Sequence, residues 1–133
     1  MTYNIRNGTI LALVLALLLN LIVFFIGRSF LNVPFTVSQF PDPIGIVQII
    51  VMTLASTLGA GIVLWVLQNS QPNFVQIFLW LAAILALISL IPVYTMAIGR
   101  GSFFSLGFMH VITASSVVYG LLYFSNCDDC DDA

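Results

Sequence analysis

The chain has no lysine and no glutamate, and its 133 residues carry only three arginines and five aspartates. Without lysine there is no phosphate loop ending in Gly-Lys-Ser/Thr. Three scattered arginines, Arg6, Arg28 and Arg100, cannot neutralise a phosphate track, so nucleic acid is excluded as a partner as well. Histidine occurs once, at His110, and cysteine twice, at Cys127 and Cys130, which leaves little material for catalysis. A soluble domain carries about 25% charged residues; here the figure is 6%, with 61% hydrophobic residues. A chain of one domain's length with so little charge is an integral membrane protein.

What the sequence does have is long apolar runs. Windows of about 19 residues place them at Thr9–Gly27, Ile44–Leu67, Phe74–Tyr94 and Phe103–Phe124, all free of Lys, Arg, Asp and Glu. Each is near the ~20 residues a helix needs to cross ~30 Å of hydrocarbon. Lipid offers the backbone no alternative partner, so spans are helices or a closed barrel. Runs such as Leu11–Leu19 are apolar on every side, whereas barrel strands alternate. The expected fold is therefore all-α: one transmembrane domain over residues 1–133, with a short Cys/Asp tail at 125–133. Short connections rich in Pro, Asn and Gly make neighbouring spans antiparallel, an up-down-up-down bundle with both termini on one side. The first run is too long for the apolar core of a signal peptide and is read as a retained helix.

Inside a bilayer, helices associate through close packing at small residues, helped by hydrogen bonds. Candidate seams are Ala12, Ala16, Asn20 and Phe24 in the first span, and the pairs Ala55/Gly59 and Ser56/Ala60 in the second. The third span offers Ala82, Ala86 and Ser89, and the fourth Gly107, His110, Thr113, Ala114 and Gly120. Ionisable and amide groups at this depth are costly, so they face the interior and need partners. Asn20, Ser89, His110 and Thr113 form the candidate interior polar cluster. For His110 two readings stand: a neutral ring hydrogen-bonded across helices to Asn20 or Ser89, or an axial ligand to a haem or a chlorophyll-type magnesium.

Arg28 and Arg100 fall at the same membrane end, as candidate mouth charges over an anionic pocket or as side chains snorkelling to headgroups. The connection from Arg28 to Pro43 is the longest, and reads as a lid, a partner contact or a re-entrant loop anchored by Phe30 and Phe35. Trp65, Trp80, Tyr119 and Tyr123 would lie toward the other end, as an interfacial belt does. The tail Cys127-Asp-Asp-Cys130 has the spacing of a redox pair, but neighbouring aspartates disfavour the thiolate. The alternative readings are a structural disulfide, an intersubunit contact or a solvated tail.

Several segments resemble a bacterial family. They are Asn20, Gly27-Arg28, Phe35-Thr36-Val37, Ser89-Leu90-Ile91-Pro92 and above all Met109-His110-Val111-Ile112-Thr113-Ala114. The family consists of small four-span membrane proteins known only as a domain of unknown function. The resemblance covers about Thr9 to Phe124 and implies a four-helix bundle, with no activity, cofactor or catalytic residue to carry over. Two departures stand out: the uncharged connection Gln68–Asn73, where relatives tend to be basic, and the Cys/Asp tail. On the arginine count alone the positive-inside rule favours external termini; the resemblance implies cytoplasmic ones in the bacterial inner membrane, which is the expectation adopted.

The leading functional expectation is a non-catalytic accessory or structural subunit, packed among other membrane subunits or copies of itself. The alternatives are a small-solute or ion transporter around His110, a haem- or chlorophyll-contacting subunit, and a thiol oxidoreductase using Cys127 and Cys130. No catalytic residue and no metal site is expected.

Overall fold

Hydropathy alone places four helices, and a computed structural model, which describes residues 4–125, contains them at those positions. They are α1 (Ile5–Ser29), α2 (Ile46–Ser70), α3 (Phe74–Met96) and α4 (Arg100–Ser125). All four are long and apolar enough to cross a membrane. Each is longer than its apolar run, α1 most of all. In α1, the Asn4 side chain accepts from the Asn7 N–H and so starts the helix one turn earlier, with Arg6 inside it. Between α3 and α4 the chain reverses over Gly99, whose φ of +86° suits glycine.

The helices do not pack evenly. α1 packs on both α2 and α4, and α3 packs on α4 and α2, so α1 and α3 occupy opposite corners and do not meet. The α1–α4 contact is the tightest. A Cβ added at Gly120 would lie 2.6 Å from the Cα of Ala12, and one at Gly8 would lie 3.0 Å from the Gly120 carbonyl. Small residues let these backbones close, as membrane helix pairs require. The buried stripe of α1 is Gly8, Ala12, Ala16, Asn20, Phe24 and Gly27, the four-residue repeat expected from the sequence.

In α2 the seam differs from the expected one. Ile49, Thr53, Thr57, Gly61 and Leu64 are buried, and a Cβ at Gly61 would lie 2.7 Å from the Thr9 hydroxyl. Ala55, Ser56 and Gly59 are exposed, with open space around Gly59. The two stripes lie on different sides of the helix, and the threonine stripe is the one that meets α1.

The interior falls into two apolar clusters. One, at the end holding the long connection, gathers Phe24, Val33, Phe35, Ile49, Val93, Leu106 and Met109. The other gathers Leu64, Phe78, Val117 and Leu121 toward the opposite end. Along α1, α2 and α4, the residues between them include Asn20, Thr53 and Thr113, so a polar layer divides the two clusters. Trp65, Trp80, Tyr119 and Tyr123 are all exposed and lie within two turns of the helix ends away from the long connection, where a belt was expected.

Candidate functional site

A cleft of about 730 Å³ runs between α2, α3 and α4, with Asn20 of α1 at its back. It lies within the range of about 300–1,000 Å³ typical of ligand pockets. Its walls include the small residues Ala55, Ser56, Gly59 and Ala60 of α2 and Ala82, Ala86 and Ser89 of α3. Small side chains here leave a volume that larger ones would fill. Rim residues such as Met52 and Leu85 are exposed, so the cleft is open between α2 and α3 toward the surrounding lipid. α3 is correspondingly the loosest helix: 6% of its most apolar stretch is buried, against 28–33% in the others.

The candidate polar cluster is brought together on this wall. Asn20, Ser89, His110 and Thr113 all line the cleft, and Thr53, which the sequence reading missed, lies among them. Asn20 is 3% exposed and its amide nitrogen donates to Thr113 Oγ1 at 2.8 Å and to Thr53 Oγ1 at 3.1 Å. Thr113 in turn donates to the Met109 carbonyl at 2.9 Å. Its hydroxyl proton is thereby committed, so it can only accept from Asn20, which fixes the NH₂ on that side and leaves Oδ1 on the other. Asn20 Oδ1 is buried and has no hydrogen-bond partner among the described residues.

His110 does not bond across helices to Asn20 or Ser89. Its Nδ1 lies 2.8 Å from the Leu106 carbonyl of its own helix. A carbonyl only accepts, so Nδ1 carries the proton and Nε2 keeps its lone pair in the neutral ring. That leaves one nitrogen able to ligate a metal or accept a proton. Among the described residues no group of three or more His, Cys, Asp or Glu side chains is placed to hold a metal ion. Cys127 and Cys130 lie outside the described residues.

Arg28 and Arg100 are both exposed at the end holding the long connection, and neither lines the cleft. The Arg28 guanidinium sits 5.9 Å over the Phe24 ring.

The 30–45 connection closes that end of the bundle. Phe35 is fully buried, with its ring 5.0 Å from that of Phe24 and seated where a Cβ on Gly27 would lie 2.8 Å away. Phe30, by contrast, is 80% exposed and does not pack into the bundle. Val37 forms an antiparallel bridge with Ala97; Ser38 N–H donates to the Met96 carbonyl and Ile98 N–H to the Thr36 carbonyl, both at 2.9 Å. Ser102 Oγ accepts from the Thr36 N–H. Phe35 holds this arrangement at a φ of +49°, a costly conformation for a bulky side chain. Val37, Gln39, Phe40 and Ile44 thus roof the cleft.

A family of unknown function, DUF6069, matches residues 2–125, nearly the whole chain, and the chain belongs to that family. This is in keeping with the four-span family of unknown function that the sequence segments resemble. No curated protein and no solved structure matches it.

Proposed function

For this four-span member of a family of unknown function, we propose a non-catalytic accessory role: it holds a second membrane component in the cleft between α2 and α3. The observation that carries this reading is the cleft, open to lipid beside a helix that packs weakly on its neighbours. A helix so little covered gains contacts from whatever fills the space, since packing drives association in lipid. The component belongs to a larger complex or is a second copy of the chain. The inventory supports binding over chemistry. Acid–base catalysis needs positioned groups with protons to give or take, and among the described residues His110 is the one histidine, with its Nδ1 proton donated to the Leu106 carbonyl. The setting is the bacterial inner membrane, with the termini cytoplasmic.

The test is extraction from native membranes in mild detergent, with particle mass, composition and absorption spectrum read in one chromatography run. The expected particle retains a component besides this chain, and Ala86→Phe, which fills the cleft, removes it. A wild-type particle of this chain, detergent and bulk lipid alone, matching Ala86→Phe, would overturn the reading.

A second reading, transport, is favoured by one observation: polar side chains of all four helices, among them Asn20, Thr53, Ser89, His110 and Thr113, line the cleft. It expects His110→Ala to abolish solute flux in liposomes while the protein stays folded. A visible absorption band lost in His110→Ala would instead mark His110 as ligand to a haem or chlorophyll.

A further inference from the structure

The polar layer and the close backbone approaches join three of the four helices and leave α3 out. Asn20 ties α1 to α2 through Thr53 and to α4 through Thr113. A Cβ would lie 2.6 Å from Ala12 if built on Gly120 and 2.7 Å from Thr9 if built on Gly61, so α4 and α2 are both locked onto α1. In α3 the hydroxyls of Ser89 and Thr95 donate to Ala86 at 2.7 Å and to Ile91 at 3.0 Å, carbonyls of the same helix. This helix is fixed at its ends. The 71–73 turn joins it to α2, and the Ser38 N–H donates to its Met96 carbonyl beside the Val37–Ala97 bridge. Its two buried residues, Phe78 and Val93, belong to different apolar clusters. Fifteen residues separate them, so about 22 Å of helix runs from one to the other with no buried residue between.

That stretch has a weak point where it lines the cleft. Pro92 has no N–H, so the Ile88 carbonyl lacks its usual partner one turn on. Ser89 bonds back to Ala86 in the adjoining turn, an arrangement that loosens and bends helices. The two walls of the cleft, meanwhile, carry the pattern by which membrane helices close on each other. Ala55/Gly59 and Ser56/Ala60 on α2, and Ala82/Ala86 on α3, are pairs of small residues four apart, and all line the cleft. Counted from Pro72 in the turn, Gly59 lies thirteen residues back and Ala86 fourteen on, so the two stand at nearly the same depth. They do not touch here, because a Cβ built on Gly59 has nothing within 4 Å.

Resting on the cleft-holding reading above, we propose that α3 is a movable arm on a platform of α1, α2 and α4, pivoting at the turn that holds Ser89 and Pro92. It has two positions. In the one described, the cleft accepts a membrane component. In the other, Ala82 and Ala86 lie against Ser56, Gly59 and Ala60, and the cleft is shut. The component and α2 compete for the same face of α3, so binding holds the arm out and shifts the balance between the two positions.

The test is a disulfide suited to the closed position. Gly59→Cys/Ala86→Cys is made in a Cys127→Ser/Cys130→Ser background, with one chain per lipid nanodisc. The protein is oxidised with copper phenanthroline, and the loss of two hydrogens is followed by intact mass. A disulfide holds its Cβ atoms about 3.8 Å apart, closer than any neighbour comes to Gly59 in the position described. The chain alone is expected to crosslink. Adding Pro92→Ala should slow the reaction about fivefold, the worth of the one backbone hydrogen bond it restores at the pivot. In the native particle that retains its component, crosslinking should be lost. No disulfide in the chain alone, with both cysteines reactive to maleimide, would overturn the arm and leave a cleft-holding protein of fixed opening. An unchanged rate with Pro92→Ala would overturn the pivot. Crosslinking as fast in the native particle as in the chain alone would place the component elsewhere, which overturns the cleft-holding reading and leaves α3 mobile.

Discussion

Gly120 presses its Cα against the backbone of Ala12: a side-chain carbon placed there would lie 2.6 Å from both the Cα and the nitrogen of Ala12. Backbone atoms cannot swing aside as a flexible side chain can, so α1 and α4 must separate to admit even one methyl group. Gly120→Ala is expected to destabilise the bundle by about 1–3 kcal/mol, the usual cost of overpacking. Gly107, in the same helix, has nothing within 4 Å of its would-be Cβ. Gly107→Ala should be neutral or stabilise by up to about 1 kcal/mol through helix propensity. Equilibrium unfolding of both variants in mixed micelles measures the difference, and equal effects would contradict the crossing described.

The polar layer makes a quantitative claim of its own. Asn20 bonds Thr113 and Thr53, both hydroxyl oxygens on other helices. Membrane hydrogen bonds average only ~0.6 kcal/mol in double-mutant cycles, with a maximum near ~1.7. The Asn20→Leu/Thr113→Val cycle should fall within that range and the Asn20→Leu/Thr53→Val cycle below it, since the first bond is the shorter. A coupling near zero in both would mean that the amide is satisfied elsewhere.

The first of these arrangements was legible in the sequence and the second only in part. Ala12, Ala16, Asn20 and Phe24 recur every four residues, and in α1 they carry the contact. In α2 the small pairs Ala55/Gly59 and Ser56/Ala60 look like a stronger seam than Thr53, Thr57 and Gly61, yet they line the cleft. Small residues permit close packing and equally leave a void, and only the placement of the neighbouring helix decides between the two. Asn20, Ser89, His110 and Thr113 do share one wall, because polar groups avoid lipid whichever partner they find. The expected cross-helix bond of His110 is replaced by Leu106, since a carbonyl one turn back is always within reach of a helical side chain. In the long connection, Phe30 and Phe35 look alike in sequence; Gly27 provides a seat for Phe35 and none for Phe30.

Phe35 itself yields a prediction with an unusual order. At most buried positions alanine is tolerated better than glycine, because glycine frees the unfolded chain. Phe35 has a φ of +49°, where any residue with a Cβ is strained by about 1–2 kcal/mol. Phe35→Ala loses the ring and keeps the strain; Phe35→Gly loses the ring and relieves it. The glycine variant should therefore be the more stable of the two, by up to about 1 kcal/mol. Both should expose the Ser38 and Ile98 amides to hydrogen exchange, since the bridge to residues 96–98 depends on where Phe35 is seated. Alanine above glycine would show that the backbone at Phe35 is not strained, and protection unchanged in both would show that the ring does not hold the roof.

The arrangement of the chain across the bilayer can be read at two exposed connections. Gln39 lies in the connection after α1 and Gln71 in the turn after α2, and both are exposed. Four antiparallel spans put these positions on opposite sides whichever way the bundle faces. In a Cys127→Ser/Cys130→Ser background, Gln39→Cys and Gln71→Cys are treated separately with a membrane-impermeant maleimide, before and after permeabilising the cells. Cytoplasmic termini expect Gln39→Cys to react in intact cells and Gln71→Cys only once the membrane is opened. The reverse pattern keeps the bundle and turns it over, siding with the two-to-one arginine count at the mouth. Reaction at both sites in intact cells would contradict the four-span topology itself, because α2, the helix between them, would then fail to cross.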